Sequence, residues 1–499
     1  MKRIKNILKL SLVATVFVTS SCNGFLDVNE NPNAVTDKNI TPELLFPQTQ
    51  TALANRQASR FVFLNNWMGY WSRSGTFIPE QEETTYKITS TFIETNWDNA
   101  YNILYDLNLV KTLSLAKGDK FLAGAATVLS VKLWQEVVDM YGDVPYSKAF
   151  SYEENPRPAY DAAADIYDDL LVQLDSAVLY LNTTPKSSFP NLDMIYCRAN
   201  SDKIDDAVVF WNKFANTIRL RVLLRQSAVV TNATVTAEMA KIVSNGGLLA
   251  AGENVQVNPG YVNETDKQSP FYANFGQTPT GSAASTNNRA NNYFLTTVLK
   301  GKTDPRTTRF FKAPVTGTDY GALNGNANGV AQLQGSDMGP GLAGSATQDA
   351  WILPAFEALF LKAEAIQRGW LTGDAQAVYE SAITENFTWL GAADADIYLT
   401  SSQASWTDPA NANKIKLISY QKYIALCGID PLESYSDLRR IGGGLSLAVD
   451  GNTGFLSYNA VRAPHLPYIM PYPQSEYTAN VANVPSKVDI FSEKLFWQP

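Results

Sequence analysis

Aromatic rings placed among amide side chains are the residues of this sequence best suited to recognising a ligand. Residues 65–73 are Asn-Asn-Trp-Met-Gly-Tyr-Trp-Ser-Arg, residues 271–275 are Phe-Tyr-Ala-Asn-Phe, and residues 291–293 are Asn-Asn-Tyr. Such rings can stack on the C–H faces of a sugar, while amide and guanidinium groups hydrogen-bond its hydroxyls. The candidate ligand-binding residues are therefore Trp67, Tyr70, Trp71, Arg73, Tyr272, Asn291 and Tyr293.

The same rings could instead belong to the hydrophobic core, which takes up most aromatic side chains. Trp67, Tyr70 and Trp71 have the i, i+3, i+4 spacing of one helical face. Trp97 lies at helical spacing with Tyr101, and we expect it to be core. Exposure of the rings decides between the two interpretations.

The composition excludes several kinds of catalytic site. His465 is the only histidine and there are three cysteines, too few for a His-rich metal site or a Cys₄ site. No glycine-rich loop has phosphate-binding spacing. We expect no metal and no cofactor.

A glycan hydrolase needs only two carboxylates, and no pair stands out among the 48 acidic residues. Cys197 and Cys427 are either buried thiols or a pair formed after export.

The charge balance is acidic. With 40 basic and 48 acidic residues the net charge is −8, which does not favour nucleic-acid binding. The same charge disfavours a strongly anionic glycan unless Arg73, Arg289 or Arg306 lines the site. Arg219, Arg221 and Arg225 lie on a predicted helix whose other face is apolar, and we expect internal ion pairs in preference to ligand binding.

The N-terminus predicts export. Four basic residues within the first nine precede a mostly apolar run at residues 10–18, and three small residues lead into Cys22. We predict a lipoprotein signal peptide at residues 1–21, lipidation of Cys22, and a flexible lipid tether at residues 22–40. An ordinary signal peptide with an incidental cysteine is the alternative.

Helical periodicity dominates from Thr41 onward, which predicts a single helical domain over residues 41–499. Gly142 is expected to end one long helix and Asp161 to cap the next. Two helices at about 354–368 and 374–390 have the small residues and the tyrosine, Tyr379, of a tetratricopeptide-like pair, for which a plain helical hairpin is the alternative. Residues 247–350 lose the pattern and predict a loop-rich insertion with a short helix near 292–300.

A series of segments in one order along the chain resembles a known family. They are WQEVVDMYGDVPYSKAF (134–150), PRPAYDAAADIYDDLLVQLDSAV (156–178), FWNKFANTIRLRVLLRQS (210–227), ALFLKAEAIQRGW (358–370), ISYQKYIAL (418–426), YSDLRRIG (435–442) and PYPQSEYTAN (471–480). Together they resemble the SusD/RagB-like outer-membrane nutrient-binding lipoproteins, and the subgroup with starch-binding and mucin-glycan-binding members in particular.

The resemblance implies an all-α fold of tetratricopeptide-like helix pairs with long inserted loops. It also implies a non-enzymatic lipoprotein of the outer membrane that faces the cell exterior. Such a protein captures an oligosaccharide and delivers it to a SusC-like TonB-dependent barrel. Capture of an oligopeptide by the same kind of transport system, a secreted glycan hydrolase and a helical scaffold without a small ligand are the alternatives.

Overall fold

Helices make up most of the structure, a computed structural model in which the described residues are 40–74, 81–183, 192–196, 204–299, 303–313, 335–441, 457, 466–486 and 489–499. The predicted signal peptide, Cys22 and nearly all of the tether lie outside them. The described part contains sixteen α-helices: α1 (Pro42–Ser59), α2 (Val62–Trp67), α3 (Gln81–Thr85), α4 (Glu94–Lys117), α5 (Lys120–Tyr141), α6 (Ala163–Leu181), α7 (Ile204–Arg225), α8 (Asn232–Ser244), α9 (Pro270–Phe275), α10 (Thr307–Phe310), α11 (Ala355–Gln367), α12 (Ala375–Leu390), α13 (Ala395–Leu399), α14 (Lys414–Ala425), α15 (Pro431–Arg440) and α16 (Gln474–Ala479).

The long helices pack as consecutive pairs. α4 ends at Gly118, which has a φ of 80°, and the carboxylate of Asp119 then caps α5. α5 lies so close against α6 that a Cβ atom at Gly124 would be only 2.8 Å from Cγ of Leu181. α11 and α12 form a similar pair, with the side chain of Asp374 as the cap of α12. The prediction of tetratricopeptide-like helix pairs is confirmed.

α5 is the central helix of the first pairs and packs against α4, α6 and α7. Within the described residues it is the one helix long and apolar enough to cross a membrane, and 94% of that stretch is buried inside the protein. Its apolar character is accounted for by neighbouring helices that cover it on several sides.

The start of α6 differs from the prediction. Asp161 does not cap this helix, because the first helical amide, that of Ala163, donates to Asp143 Oδ1 at 2.8 Å. The Asp161 carboxylate instead accepts hydrogen bonds from the backbone amides of Tyr146 and Ser147, both at 2.9 Å. The expected cap is wrong because a loop 14 residues earlier competes for the same oxygen atoms.

The loop-rich insertion contains short ordered elements. Four strands of the described residues, β1 (Trp71–Arg73), β2 (Val255–Val257), β3 (Asn288–Ala290) and β4 (Ala350–Leu353), form two antiparallel pairs, β1 with β3 and β2 with β4. The short helix expected near 292–300 is present as a π-helix, Tyr293–Leu299. Residues 314–334 of the insertion lie outside the described residues.

The arginines of α7 are buried and paired, as the sequence predicted. Arg219 contacts Asp175 at 2.7 Å, and Arg221 contacts Glu357 at 3.4 Å. Arg225 contacts Asp139 at 3.0 Å and also binds a glutamate of α15. These ion pairs connect α7 to α5, α6, α11 and α15.

Further pairs extend this arrangement into one buried group, here called the interior charge network. Lys422 of α14 contacts Glu433 at 2.5 Å and Asp437 at 3.0 Å, both on α15. Arg440 contacts Glu364 of α11 at 2.6 Å and Asp437 at 2.8 Å. The network comprises seven cations and seven carboxylates of the described residues: Arg56, Lys132, Arg221, Arg225, Lys422, Arg439 and Arg440, with Glu136, Asp139, Glu357, Glu364, Asp430, Glu433 and Asp437.

Glu364→Gln tests the contribution of this network. Burial acts to raise the pKa of Glu364, but the Arg440 guanidinium outweighs it and lowers the pKa to about 2. The stabilisation is therefore complete above the ordinary pKa of 4.5 and is lost as the pH falls toward 2. We expect the variant to lose about 3–5 kcal/mol of unfolding free energy at neutral pH, because a buried guanidinium loses its partner.

Urea unfolding at neutral pH and near pH 3 measures this effect. The difference between wild type and variant should be larger at neutral pH than at pH 3, where the wild-type carboxylate is already losing its advantage. Glu493→Gln, at an exposed position, is the control and should change little. Equal stability of wild type and Glu364→Gln at neutral pH would contradict a structural role for the pair.

Candidate ligand-binding site

Strand pairing brings two of the three predicted stretches together. In the β1–β3 pair, Trp71 lies opposite Ala290 and Arg73 lies opposite Asn288. Directly after β3, the side-chain amide of Asn291 donates a hydrogen bond to the hydroxyl of the middle residue of β1 at 2.7 Å. Residues more than 200 positions apart in the chain thus form one local structure.

The third stretch packs against β1 through α9. The rings of Phe271 and Phe275 lie with centroids 6.3 and 4.9 Å from the ring of Trp71. Tyr272 lies between these two residues in sequence and is half-buried, and its hydroxyl donates to Gln277 Oε1 at 3.4 Å. The predicted stretches therefore meet at one place in the fold.

Three of the candidate residues are core residues. Trp67, Tyr70 and Trp71 are each no more than 1% exposed. The ring of Trp67 stacks on Phe92 with centroids 5.6 Å apart, and that of Tyr70 stacks on Tyr423 at 4.7 Å. The interpretation of these three rings as ligand contacts is wrong, because each packs on other buried rings, and Trp71 in particular lies against α9. Trp97 is buried, as expected.

Asn291 and Tyr293 are also buried. The Asn291 side chain supports the local backbone. Its Nδ2 donates a hydrogen bond to the Ser72 hydroxyl of β1, and its Oδ1 accepts one from the backbone amide of Tyr293 at 2.8 Å. Asn291 thereby fixes the turn from β3 into the π-helix. Neither side chain is presented to a ligand in this structure.

Tyr70, one of the two buried tyrosines of the candidate set, has a perturbed hydroxyl. Burial raises the pKa of Tyr70 well above its ordinary value, and the Tyr70 hydroxyl donates to the carbonyl oxygen of Tyr423 at 2.6 Å. The hydroxyl stays protonated at physiological pH and serves as a structural donor between β1 and α14.

Arg73 and Tyr272 remain accessible, and with their polar neighbours they form the candidate site. Arg73 keeps 21% of its side chain exposed and donates to Glu83 Oε2 at 3.0 Å and Asn288 Oδ1 at 3.3 Å. These bonds use two of the five N–H donors of a guanidinium. Glu83 and Asn288 are buried and hold Arg73, while Gln277 is exposed and bonds Tyr272. We call these five residues, Arg73, Glu83, Asn288, Tyr272 and Gln277, the Arg73 rim.

The Arg73 rim carries little net charge. Arg73 is paired with Glu83, and the neighbouring Arg289 of β3 is paired with Asp337 at 2.8 Å. Arg306, a further candidate for an anionic ligand, is fully buried against Asp304 and does not line a surface. A rim of paired charges and amides can hydrogen-bond a neutral, hydroxyl-rich ligand better than an anionic one.

The sequence missed Glu83, Asn288 and Gln277. Glu83 follows Arg73 by 10 positions and could have been suggested by that short separation. Asn288 is 215 positions from Arg73, and only the β1–β3 register brings them together. No sequence pattern indicated that register, because strands of three residues have too little alternation to predict a pairing.

No metal site is indicated in the part of the chain that the structure describes: no group of three or more His, Cys, Asp or Glu side chains is placed to hold an ion. Cys427 is a free, buried thiol, and burial raises its pKa well above the ordinary value. Cys197 and His465 lie outside the described residues.

Comparison with known proteins now identifies the family. A family model described as "Starch-binding associating with outer membrane" matches residues 32–454, most of the chain. The chain belongs to this SusD-like family. The resemblance stated from the sequence motifs is confirmed, and no curated protein matches the chain.

Solved structures agree with this SusD-like fold. A chitin-binding SusD homologue from Flavobacterium johnsoniae has 22% identity and a TM-score of 0.73, with 91% of this chain and 98% of that chain covered. A SusD homologue from Bacteroides fragilis has 19% identity and a TM-score of 0.72 over 92% and 99% of the two chains. A SusD/RagB family protein from Bacteroides thetaiotaomicron has 19% identity and a TM-score of 0.70 over the same shares.

Family membership makes this SusD-like chain a nutrient-binding protein that associates with the outer membrane. SusD-like proteins are binding proteins and not enzymes, so the chain is not a glycan hydrolase. The all-α fold expected from the sequence is confirmed, with four short strands among the described residues.

Trp71→Ala separates a core role from a ligand role. We expect this substitution to lower the unfolding free energy by about 3–5 kcal/mol, because it leaves a cavity beside Phe275 and Phe271. Tyr152→Ala, at a position that is 77% exposed, is the matched control and should cost no more than about 0.5 kcal/mol. Thermal and urea unfolding measure both. A normal melting curve for Trp71→Ala would contradict the assignment of this ring to the core.

Proposed function

We propose that this SusD-like protein captures a neutral oligosaccharide at the Arg73 rim and passes it to a SusC-like TonB-dependent barrel. The observation that carries the proposal is the β1–β3 pairing, which places Arg73 beside Asn288. Arg73 also pairs with Glu83 of α3, and α9, which carries the half-buried Tyr272, packs on Trp71 of the same strand. The guanidinium and amide groups supply hydrogen bonds to sugar hydroxyls, and the Tyr272 ring supplies an apolar face.

The rigidity of the rim supports binding without rearrangement. β1 is held from behind by the buried rings of Trp71 and Phe275, and Glu83 is fixed by a hydrogen bond from Asn66 as well as by Arg73. Side chains held in place before binding lose less conformational entropy when a ligand arrives.

Attachment to the membrane is proposed to run through lipidated Cys22 and the tether that follows. Acyl chains on one cysteine and a polar segment of nearly twenty residues would let the folded domain sit over the mouth of a barrel on the outer face of the membrane. The family's association with the outer membrane supports this arrangement.

Arg73→Ala and Tyr272→Ala test the site. The chitin-binding homologue suggests N-acetylglucosamine tetramer as a probe, and maltotetraose serves for the starch-binding description of the family. We expect isothermal titration to give binding of at least one of them and about tenfold weaker binding in each variant, because a charged hydrogen bond or a stacked ring is lost.

Arg157→Ala is the control, since Arg157 is an exposed arginine outside the rim. It should leave affinity unchanged, and all three variants should melt close to wild type. Binding of oligopeptides in place of both sugars would shift the ligand class to peptide. Sugar binding unchanged in both rim variants would remove the Arg73 rim as the site.

A further inference from the structure

Glu83 already supplies the accessible arginine of the rim with a carboxylate partner. Its Oε2 atom lies 3.0 Å from Nη2 of Arg73, and the two groups form a direct ion pair. A guanidinium binds the carboxylate of a sugar acid through the same N–H donors that it uses for a carboxylate of the protein. Glu83 therefore competes with any acidic group that a ligand would bring to Arg73.

The competing carboxylate is fixed in place from several sides. Oε1 of Glu83 accepts a hydrogen bond from the side-chain amide of Asn66, and the carbonyl oxygen of Glu83 accepts one from the indole of Trp67 at 3.0 Å. Asn66, Trp67 and Glu83 are each no more than 2% exposed. A carboxylate that is buried and bonded at both oxygens is not free to turn away when another anion approaches.

Asn288 presents a neutral acceptor to the same guanidinium. Its Oδ1 accepts a hydrogen bond from Nη1 of Arg73 at 3.3 Å, while its Nδ2 donates to Oδ1 of Asn287 at 3.0 Å. Because the amino end of the amide is engaged by its neighbour, the carbonyl end faces Arg73. Of the two acceptors that hold the guanidinium, Glu83 is the one that carries a charge.

The charge of Glu83 makes the rim unequal toward neutral and acidic sugars. A ligand carboxylate on Arg73 would lie beside the carboxylate of Glu83, and like charges about 4–6 Å apart repel each other. Burial strengthens that repulsion, since little water lies between the groups to screen it. A sugar hydroxyl has no such cost and can accept from the N–H groups of Arg73 that the protein acceptors leave over.

We propose that Glu83 is the specificity-determining residue of the Arg73 rim, which excludes acidic glycans while Glu83 is charged and accepts uronic-acid oligosaccharides once that charge is removed. This inference rests on the proposed function, because it concerns the ligand class of the same site. It goes further by assigning the choice between neutral and acidic sugars to one buried carboxylate that acts through Arg73.

Glu83→Gln tests the proposal, because it removes the charge and keeps the size of the side chain. The acidic probe is the α-1,4-linked glucuronic acid tetramer, which has the backbone of maltotetraose with a carboxylate at each C6. The neutral reference is whichever of maltotetraose and N-acetylglucosamine tetramer binds wild type. Isothermal titration of the full chain measures both ligands.

We expect wild type to bind the acidic tetramer at least about tenfold more weakly than the neutral one. Glu83→Gln should bind the acidic tetramer at least about tenfold more tightly than wild type does, with affinity for the neutral tetramer within about threefold. Raising the salt concentration from about 50 to about 500 mM should reduce the gain. The double variant Glu83→Gln with Arg73→Ala should lose the gain, because the guanidinium that binds the acid is absent.

Asp337→Asn is the matched control. It changes the net charge by the same amount and removes the carboxylate partner of a neighbouring arginine, Arg289. Successive side chains of a strand point to opposite faces, so Arg289 lies on the face of β3 opposite to Asn288. We expect this variant to bind the acidic tetramer no better than wild type does.

Failure of this inference and failure of the proposed function give different results. If wild type binds neither neutral tetramer, the proposed function fails and this inference fails with it. If a folded Glu83→Gln binds the neutral tetramer as before and gains nothing for the acidic one, only the role of Glu83 is overturned. An equal gain in Asp337→Asn overturns it as well. Equal or tighter binding of the acidic tetramer by wild type overturns it without any variant, even if Glu83→Gln does not fold.

Discussion

The interior charge network is the interaction on which the rest of this structure depends. Removing a charged side chain from water costs several kcal/mol even after the protein relaxes, and the cost is recovered only where partners and hydrogen bonds are well placed. Seven cations and seven carboxylates are buried together, and six of the cations lie within 4.0 Å of a carboxylate. The seventh, Arg439, donates to the backbone carbonyl oxygens of Asp139 and Tyr468. Because the partners come from different helices, the network is satisfied by one mutual arrangement of α5, α7, α11, α14 and α15.

That arrangement also sets the position of the Arg73 rim. The hydroxyl of Tyr70 bonds the carbonyl oxygen of Tyr423 and the hydroxyl of Ser434, and the hydroxyl of Tyr423 bonds the carbonyl oxygen of Met68. Tyr423 directly follows Lys422, a member of the network, and Ser434 directly follows Glu433. The segment before β1 is thus attached to the two helices that the network holds. The buried rings of the candidate set thereby fix the position of the proposed Arg73 rim.

The sequence predicted most helices well because long amphipathic or apolar stretches are local signals, and so is a glycine that ends a helix, as at Gly142. It predicted the arginines of α7 as internal because their neighbours along the helix are apolar. It could not place Trp67, Tyr70 and Trp71, since aromatic residues at one spacing suit a core and a binding face equally. The rim itself rests on a strand pair that joins distant segments, and a pairing of that kind leaves no local trace.

The central claim is that a rigid helical scaffold presents a polar rim that binds sugar without cleaving it. A crystal structure of the chain grown or soaked with N-acetylglucosamine tetramer or maltotetraose tests this claim most directly. The account predicts electron density for an intact oligosaccharide beside Arg73 and Tyr272, with every glycosidic bond unbroken and the strands β1 and β3 unmoved. Density for shortened products, or an intact sugar bound elsewhere with the Arg73 rim empty, would contradict it.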